Sequence, residues 1–338
     1  MRILITGITG FVGSHMADYI LRQAPEAKIF ASRRWRSREE NIRCLLFDPR
    51  VKFVEADLLD RRSLSLLIEV SKPDYVFHFA AQSFPGASFR IPVVTLTNNG
   101  IGTVNLLEEI LQARDKGICD PVIVSVSSSE VYGMPTPDEV PIKETNPIRA
   151  ANPYSISKVT QDLMSQYYQK AFGLKIIITR MFSHEGERRG KDFALSSFAR
   201  QVALHETTYF CKTCSTKIDK YSIRVGNLNS VRTYAHIDDA VRAYWLAATQ
   251  GTIGEIYNIG GKHTCKVGDA LNNIISKSEI PKENFEIIVD PALVRPTDIT
   301  LQIPDWSKFK EATGWEPIKT LDDITQDLLN YWRREVSK

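Results

Sequence analysis

Six short apolar runs, Arg2–Thr6, Lys28–Ser32, Val51–Ala56, Tyr75–Phe79, Val122–Val126 and Lys175–Thr179, divide the first half of the chain, with helical patterns between them. They are rich in Val, Ile and Phe, as strands covered on both faces must be. This alternation generates βαβ units with right-handed connections. It predicts an α/β fold built on a Rossmann-type, doubly wound parallel sheet. Val12, Met16, Tyr19 and Ile20 recur at helical spacing and give the first connecting helix an apolar stripe; Val104, Leu107 and Leu111 do the same before the fifth strand.

Beyond about residue 180 the alternation gives way to short strands and helices with more Gly, Pro and polar punctuation. A cofactor domain over 1–180 is expected, with about 225–260 returning to it, and a smaller mixed α/β substrate region over 181–338. Polar inserts at Arg33–Arg43 and Thr207–Tyr221 read as loops, as lids or as subunit contacts.

Lys and Arg total 43 against 40 Asp and Glu, a net charge of +3, which argues against nucleic-acid or membrane-surface binding. No run approaches the ~20 apolar residues of a membrane span and the chain opens directly on a strand pattern, so a cytoplasmic protein with a small ligand is expected. Its five cysteines form no disulfide framework. Only Cys211-x-x-Cys214 has metal-site spacing, and nothing completes a tetrahedral set, so no metal is expected.

Directly after the first strand, Gly7, Gly10 and Gly13 form a GxxGxxG that opens a helix. Glycines there permit a tight turn and close approach to a pyrophosphate, and the helix N-terminus offers free N–H groups. The second strand ends on Ser32-Arg33-Arg34 instead of the acidic residue that takes the ribose hydroxyls of NAD. A guanidinium there suits a 2′-phosphate, so NADP is favoured and NAD remains possible. The same arginines also read as a solvated basic loop or a subunit contact. Asp57 reads either as a partner for the adenine amino group or as a cap.

Asn152-Pro153 is a helix start, which puts Tyr154 and Lys158 four apart on one helical face. A neighbouring ammonium favours the phenolate, so Tyr154 is expected to be pulled down from ~10 toward a useful general base. The fifth strand runs into Ser127-Ser128-Ser129-Glu130, at the strand ends where ligands of open α/β sheets bind. Glu130 reads equally as a catalytic carboxylate and as a cap.

Together these motifs resemble the extended short-chain dehydrogenase/reductase superfamily. Finer stretches, Ala81-Gln82-Ser83 with Ser88-Phe89-Arg90, Ser128–Gly133, His184–Phe193, Gly226–Arg232 and Arg295-Pro296-Thr297, resemble GDP-mannose 4,6-dehydratase over nearly the whole chain. The resemblance implies that Tyr154 removes the sugar 4-hydroxyl proton, with Ser128 bonded to the same oxygen and Lys158 on the cofactor ribose. It implies that Glu130 takes the C5 proton and assists loss of the C6 hydroxyl as water, after which hydride returns to C6. It further implies cofactor contacts at Phe11, Val12, Leu58, Ala80, Ala81, Gln82, Asn99, His184 and Arg189. Substrate contacts are implied at Ser83, Ser88, Ser129, Ser183, Arg189, Asn227, Arg232 and Arg295.

The chain departs from the family at Ser128 for threonine, at Ser183 for asparagine and across Arg232–His236. The expected substrate is GDP-mannose or a related GDP-hexose or heptose. A GDP-4-keto-6-deoxy-sugar reductase, a 4-dehydrogenase or an epimerase of the same superfamily is the alternative, and a non-enzymatic scaffold is disfavoured by the intact Ser128, Tyr154 and Lys158. A homodimer or homotetramer is implied.

Overall fold

The apolar runs pair side by side: β1 (Arg2–Thr6), β2 (Lys28–Arg33), β3 (Val51–Glu55), β4 (Tyr75–His78), β5 (Val122–Val126) and β6 (Ile176–Met181), with β3 a partly exposed edge strand. In the computed structural model, which describes residues 1–209 and 220–338, they form one parallel sheet with a seventh strand, Ile256–Ile259, beside β6. From that strand the order runs β6, β5, β4, β1, β2, β3, so the strand order reverses between β1 and β4. Ligands of such sheets bind at that switch point, outside the carboxyl ends of the strands.

Helices cover both faces. Helices Phe11–Gln23 and Ile237–Gln250 close one core through Met16, Ile20 and Tyr244, against Phe77, Val124 and Ile177 of the sheet. Helices Arg61–Ser71, Gly102–Asp115 and Pro153–Phe172 close the other, through Leu64, Leu107 and Tyr168. A third core joins helices Ala194–Tyr209, Val267–Ile275 and Leu321–Val336.

Two expected loops are partly regular. The Arg33–Arg43 insert begins with the last residue of β2 and contains the start of a 3₁₀ segment, Glu40–Leu45, because Ile42 and Leu45 are apolar and buried. Thr207–Tyr209 finish a helix and Tyr221 begins the strand Tyr221–Val225, which pairs with Phe285–Val289. Cys211 and Cys214 lie outside the described residues. Among the described residues, no helix is long and apolar enough to cross a membrane.

The helix Pro153–Phe172 carries Tyr154 and Lys158, and its ends follow from its sequence. Asn152 accepts from the Ser155 amide at 2.8 Å, Pro153 occupies the first turn, and Gly173 closes the helix at φ 69°. A buried ion pair fixes its lateral position. Arg180 of β6 donates to Asp162 of this helix at 2.9 and 3.0 Å, and to the Tyr132 hydroxyl at 3.0 Å. Tyr132 in turn donates to Asn258 of the seventh strand at 2.7 Å. Removing one member of a buried pair leaves an uncompensated charge. Asp162→Ala is therefore expected to cost about 3–5 kcal/mol, read as a lower denaturant midpoint, with Asp162→Asn intermediate.

Candidate active site

At the switch point, β1 turns out through Gly7 at φ 75°, where a Cβ would stand 2.7 Å from the Ala80 amide nitrogen beyond β4. Gly10 donates to the Gly7 carbonyl at 3.0 Å and starts the helix, and a Cβ on Gly13 would collide with that carbonyl. Only glycines let the loop approach both β4 and a pyrophosphate. The loop opens into a cleft of about 1190 Å³ that runs from Gly7, Phe11, Val12 and Asp57 to Asn227 and Arg295.

Most residues expected from the sequence line this cleft. On the cofactor side stand Gly10, Gly13, Arg34, Leu58, Ala80, Ala81, Gln82 and His184. Toward the other end are Ser83, Ser128, Ser129, Glu130, Ser183, Arg189 and Arg232. Three lie elsewhere. Arg33 turns to Glu39 and packs 5.3 Å over the Phe53 ring, so Arg34 is the loop arginine that reaches the cleft. Asn99 is buried behind the wall, where it brackets the backbone of Gln82 at 2.8 and 3.0 Å and donates to Ser157. Ser88 spends its hydroxyl on the Pro85 carbonyl. Asp57 keeps both of its readings, since it faces the cleft while accepting from the Leu59 amide at 3.0 Å.

β5 delivers Ser128, whose hydroxyl accepts from the Glu130 amide at 3.2 Å and begins the turn Ser129–Tyr132. Asn152 reaches across to this turn, donating to Glu130 at 2.8 Å while its oxygen caps the Tyr154 helix. One amide thus ties the carboxylate to the helix that carries the tyrosine. Ser128 and Tyr154 line the cleft together. Arg295 stands 4.0 Å from the other Glu130 oxygen.

The expected lowering of Tyr154 by Lys158 is not what the geometry produces. Burial raises the phenol well above its ordinary range and the Glu130 charge adds to the rise, with Ser128 and Arg189 opposing. Lys158 shares the helical face but points its ammonium at the Val126 carbonyl, 2.7 Å away, and at Gln161, 2.6 Å away. Burial pushes Lys158 down to about 7 against the pull of Asp162.

The stretch after β6 adds a buried cluster. The Arg189 guanidinium lies 3.6 Å over the Phe193 ring and 5.1 Å over Phe11, with Glu185 at 3.5 Å. His184 stacks on Phe11 at 5.7 Å, and burial with the Arg189 charge pushes it down to about 3, which makes it a neutral imidazole. Among the described residues, nine have a buried side-chain polar atom without a hydrogen-bond partner; Gln82, Ser127, His184, Tyr244 and Gln302 of these line the cleft, as do Glu185 and Arg189, whose atoms face each other as an ion pair at 3.5 Å. Buried polar groups are ordinarily hydrogen-bonded, so a wall with this many orphans is built for a polar ligand. With the glycine cradle, it fits a dinucleotide.

Sequence reasoning took Asn152 as a cap alone and passed over Glu185, Tyr244 and Gln302. Glu185 had a signal in its place beside His184. Tyr244 and Gln302 had none, being single polar residues on an otherwise apolar helix face and in a two-residue strand.

Comparison with known proteins agrees with this geometry. The fold is that of the NAD-dependent epimerase/dehydratase superfamily, and its family is one of nucleotide-sugar-modifying enzymes. The model of the GDP-mannose 4,6 dehydratase family matches residues 4–328, and the chain belongs to that family. It is similar to the human GDP-mannose 4,6 dehydratase, 27% identical over 351 residues, 97% of this chain and 90% of the relative. It is as similar to the GDP-6-deoxy-D-mannose reductase of Pseudomonas aeruginosa, 26% identical over 99% of this chain and 98% of the relative. The UDP-glucose 4-epimerase of Streptococcus mutans is 29% identical over 98% and 96%. Among solved structures, RMD from Pseudomonas aeruginosa complexed with NADPH superposes with a TM-score of 0.80 at 25% identity, covering 99% of this chain and 100% of that one.

Burial raises Glu185 from 4.5 to about 7 against the opposing Arg189 charge. Between those values the folded chain binds more protons than the unfolded one, so this contribution to stability is complete below about 4.5 and is lost as pH rises through 7. Glu185→Gln is expected to flatten that loss. Thermal midpoints of both proteins from mildly acid to mildly alkaline pH check it, with the variant gaining on the wild type as pH rises.

Proposed function

We propose that this chain is an NADP-dependent GDP-sugar 4,6-dehydratase that converts GDP-mannose, or a related GDP-hexose or heptose, to the 4-keto-6-deoxy sugar. The carrying observation is Glu130, held in the cleft by Asn152 on the turn that also presents Ser128 to Tyr154. An epimerase that passes through a 4-ketone alone has no need of a carboxylate there.

The residues that would hold the cofactor are the glycine loop, Arg34, Gln82 and Lys158, and the nicotinamide supplies a reversible hydride acceptor. Arg34 in the cleft wall, with no acidic residue at the end of β2, supports NADP over NAD. Tyr154 takes the proton of the 4-hydroxyl as the phenolate, its own proton having first left to solvent, while Ser128 bonds the same oxygen. Ser128 and Arg189 oppose the burial that disfavours that phenolate, and Lys158, one turn along the helix, would hold the cofactor ribose. The resulting 4-ketone acidifies the C5 proton, which Glu130 removes. The same carboxyl then protonates the departing C6 hydroxyl, so one water leaves and Glu130 returns to its starting state. Hydride return to C6 and one proton delivered to C5 complete the 4-keto-6-deoxy sugar, and that proton balances the one Tyr154 took from the 4-hydroxyl. Arg189, Arg232 and Arg295 are the candidates for the diphosphate and nucleotide, since guanidinium forks suit phosphate. Residues 181–338, apart from the segment that returns to the sheet, form the nucleotide-sugar region in this reading. The Pseudomonas relative favours a second reading, in which a 4-keto-6-deoxy sugar is reduced.

With GDP-mannose and catalytic NADP⁺, mass spectrometry is expected to find a product lighter by one water, without accumulation of NADPH. Net NADPH oxidation with a 4-keto sugar, and no water loss from any GDP-hexose or heptose, selects the reductase. Glu130→Gln is expected to lower dehydration by about 10²–10⁴-fold, the usual worth of a general base, with cofactor affinity unchanged.

We also propose a cytoplasmic homo-oligomer. Val93, Ile101, Ile156, Leu163 and Tyr167 are exposed on two packed helical segments, an apolar face suited to a second copy. Light scattering is expected to give at least twice the 38.3 kDa chain mass, and Leu163→Glu to lower it.

A further inference from the structure

Gln302 belongs to the two-residue strand Leu301–Gln302, which runs parallel to Val231–Thr233 and places it opposite Arg232. It is 4% exposed and lines the cleft. The Ser129 hydroxyl donates to its Oε1 at 2.9 Å, which fixes the amide plane and leaves Nε2 buried without a partner among the described residues. Ser129 stands between Ser128 and Glu130 in the chain, so this amide is one side chain away from the reacting end of the cleft.

With the Ser129 hydroxyl on Oε1, the group of this amide left without a partner is the Nε2 donor. Nε2 calls for an oxygen acceptor on the bound ligand. Its place beside Ser129, between Ser128 and Glu130 in the chain, points to a sugar oxygen at the reacting end. We propose that Gln302 is a specificity-determining residue of the sugar subsite, donating from Nε2 to a hydroxyl oxygen of the bound glycosyl unit. This rests on the nucleotide-sugar reading above. It also accounts for the buried donor, which is costly to keep unless a ligand satisfies it.

The test compares affinities for a nucleotide sugar and for its nucleoside diphosphate by titration calorimetry with NADP⁺ present, using GDP-mannose with GDP and the UDP-glucose and dTDP-glucose pairs. Wild type, Gln302→Leu and Gln302→Glu are measured together. The Glu variant keeps an acceptor for Ser129 and loses the donor, so it carries the test if the Leu variant is unstable. For the pair that the wild type binds, the ratio of Kd for the nucleotide sugar to Kd for the diphosphate is expected to rise about 10-fold in both variants, the worth of one hydrogen bond, with diphosphate and NADP⁺ affinities unchanged. An unchanged ratio, or equal weakening of both ligands, overturns the role of Gln302 alone. Failure of the wild type to bind any of the three nucleotide sugars overturns both this inference and the reading on which it rests.

Discussion

The buried pair Arg180–Asp162 is the contact on which the site's geometry depends. Arg180 is 2% exposed near the carboxyl end of β6, and it gathers four pieces of chain. Asp162 brings the Tyr154 helix, Tyr132 the end of the Glu130 turn, the Glu144 carbonyl the loop after it at 3.1 Å, and Tyr132 relays the contact to Asn258 of the seventh strand. Hydrophobic packing alone would let a helix slide along a sheet, since apolar contacts are not directional. A buried guanidinium with a paired carboxylate cannot slide, because any displacement leaves a charge unsolvated. The register of Tyr154 against Ser128 and Glu130 follows from that constraint.

The same scarcity of water gives the cleft its chemistry. Tyr154, Lys158, His184 and Glu185 are each shifted first by burial and only then by their neighbours. Burial favours the neutral form of every one of them. The site therefore presents a neutral phenol and a neutral imidazole, beside an amine and a carboxyl that titrate near 7; only the last two give or take a proton at small cost near neutral pH. Asn152 holds Glu130 in the same cleft, and in the proposed reaction that carboxylate is the group that separates elimination from simple oxidation and reduction.

Much of this was legible in the residues. Strands covered on both faces read as unbroken Val and Ile runs, and glycines at a strand-to-helix junction have few other uses, so the sheet and its phosphate loop were open to direct reading. Tyr154 and Lys158 as a pair followed from helix spacing; strand ends pointed to Ser128 and Glu130 only as candidates, and their roles came from the family resemblance. What the residues did not disclose was direction. Arg33 and Arg34 have the same side chain, yet Arg33, the last residue of β2, packs over Phe53 and only Arg34, just past the strand, lines the cleft. Four-residue spacing put Lys158 on the face of Tyr154 without revealing that the Val126 carbonyl would take its ammonium. Asn99 and Ser88 carry the right groups and spend them on backbone. Gln302 was invisible because its meaning comes from Ser129, far away in the chain and adjacent only after folding.

The central claim is that one cleft moves hydride from C4 to C6 of the same sugar while Glu130 drives loss of water between them. GDP-mannose carrying deuterium at C4 tests it most directly, with product mass and deuterium position followed against a large excess of unlabelled NADP⁺. The account predicts a product one water lighter that keeps its deuterium, now at C6. Deuterium found in the nicotinamide pool, or a product that has lost the label with its 6-hydroxyl still in place, would contradict it.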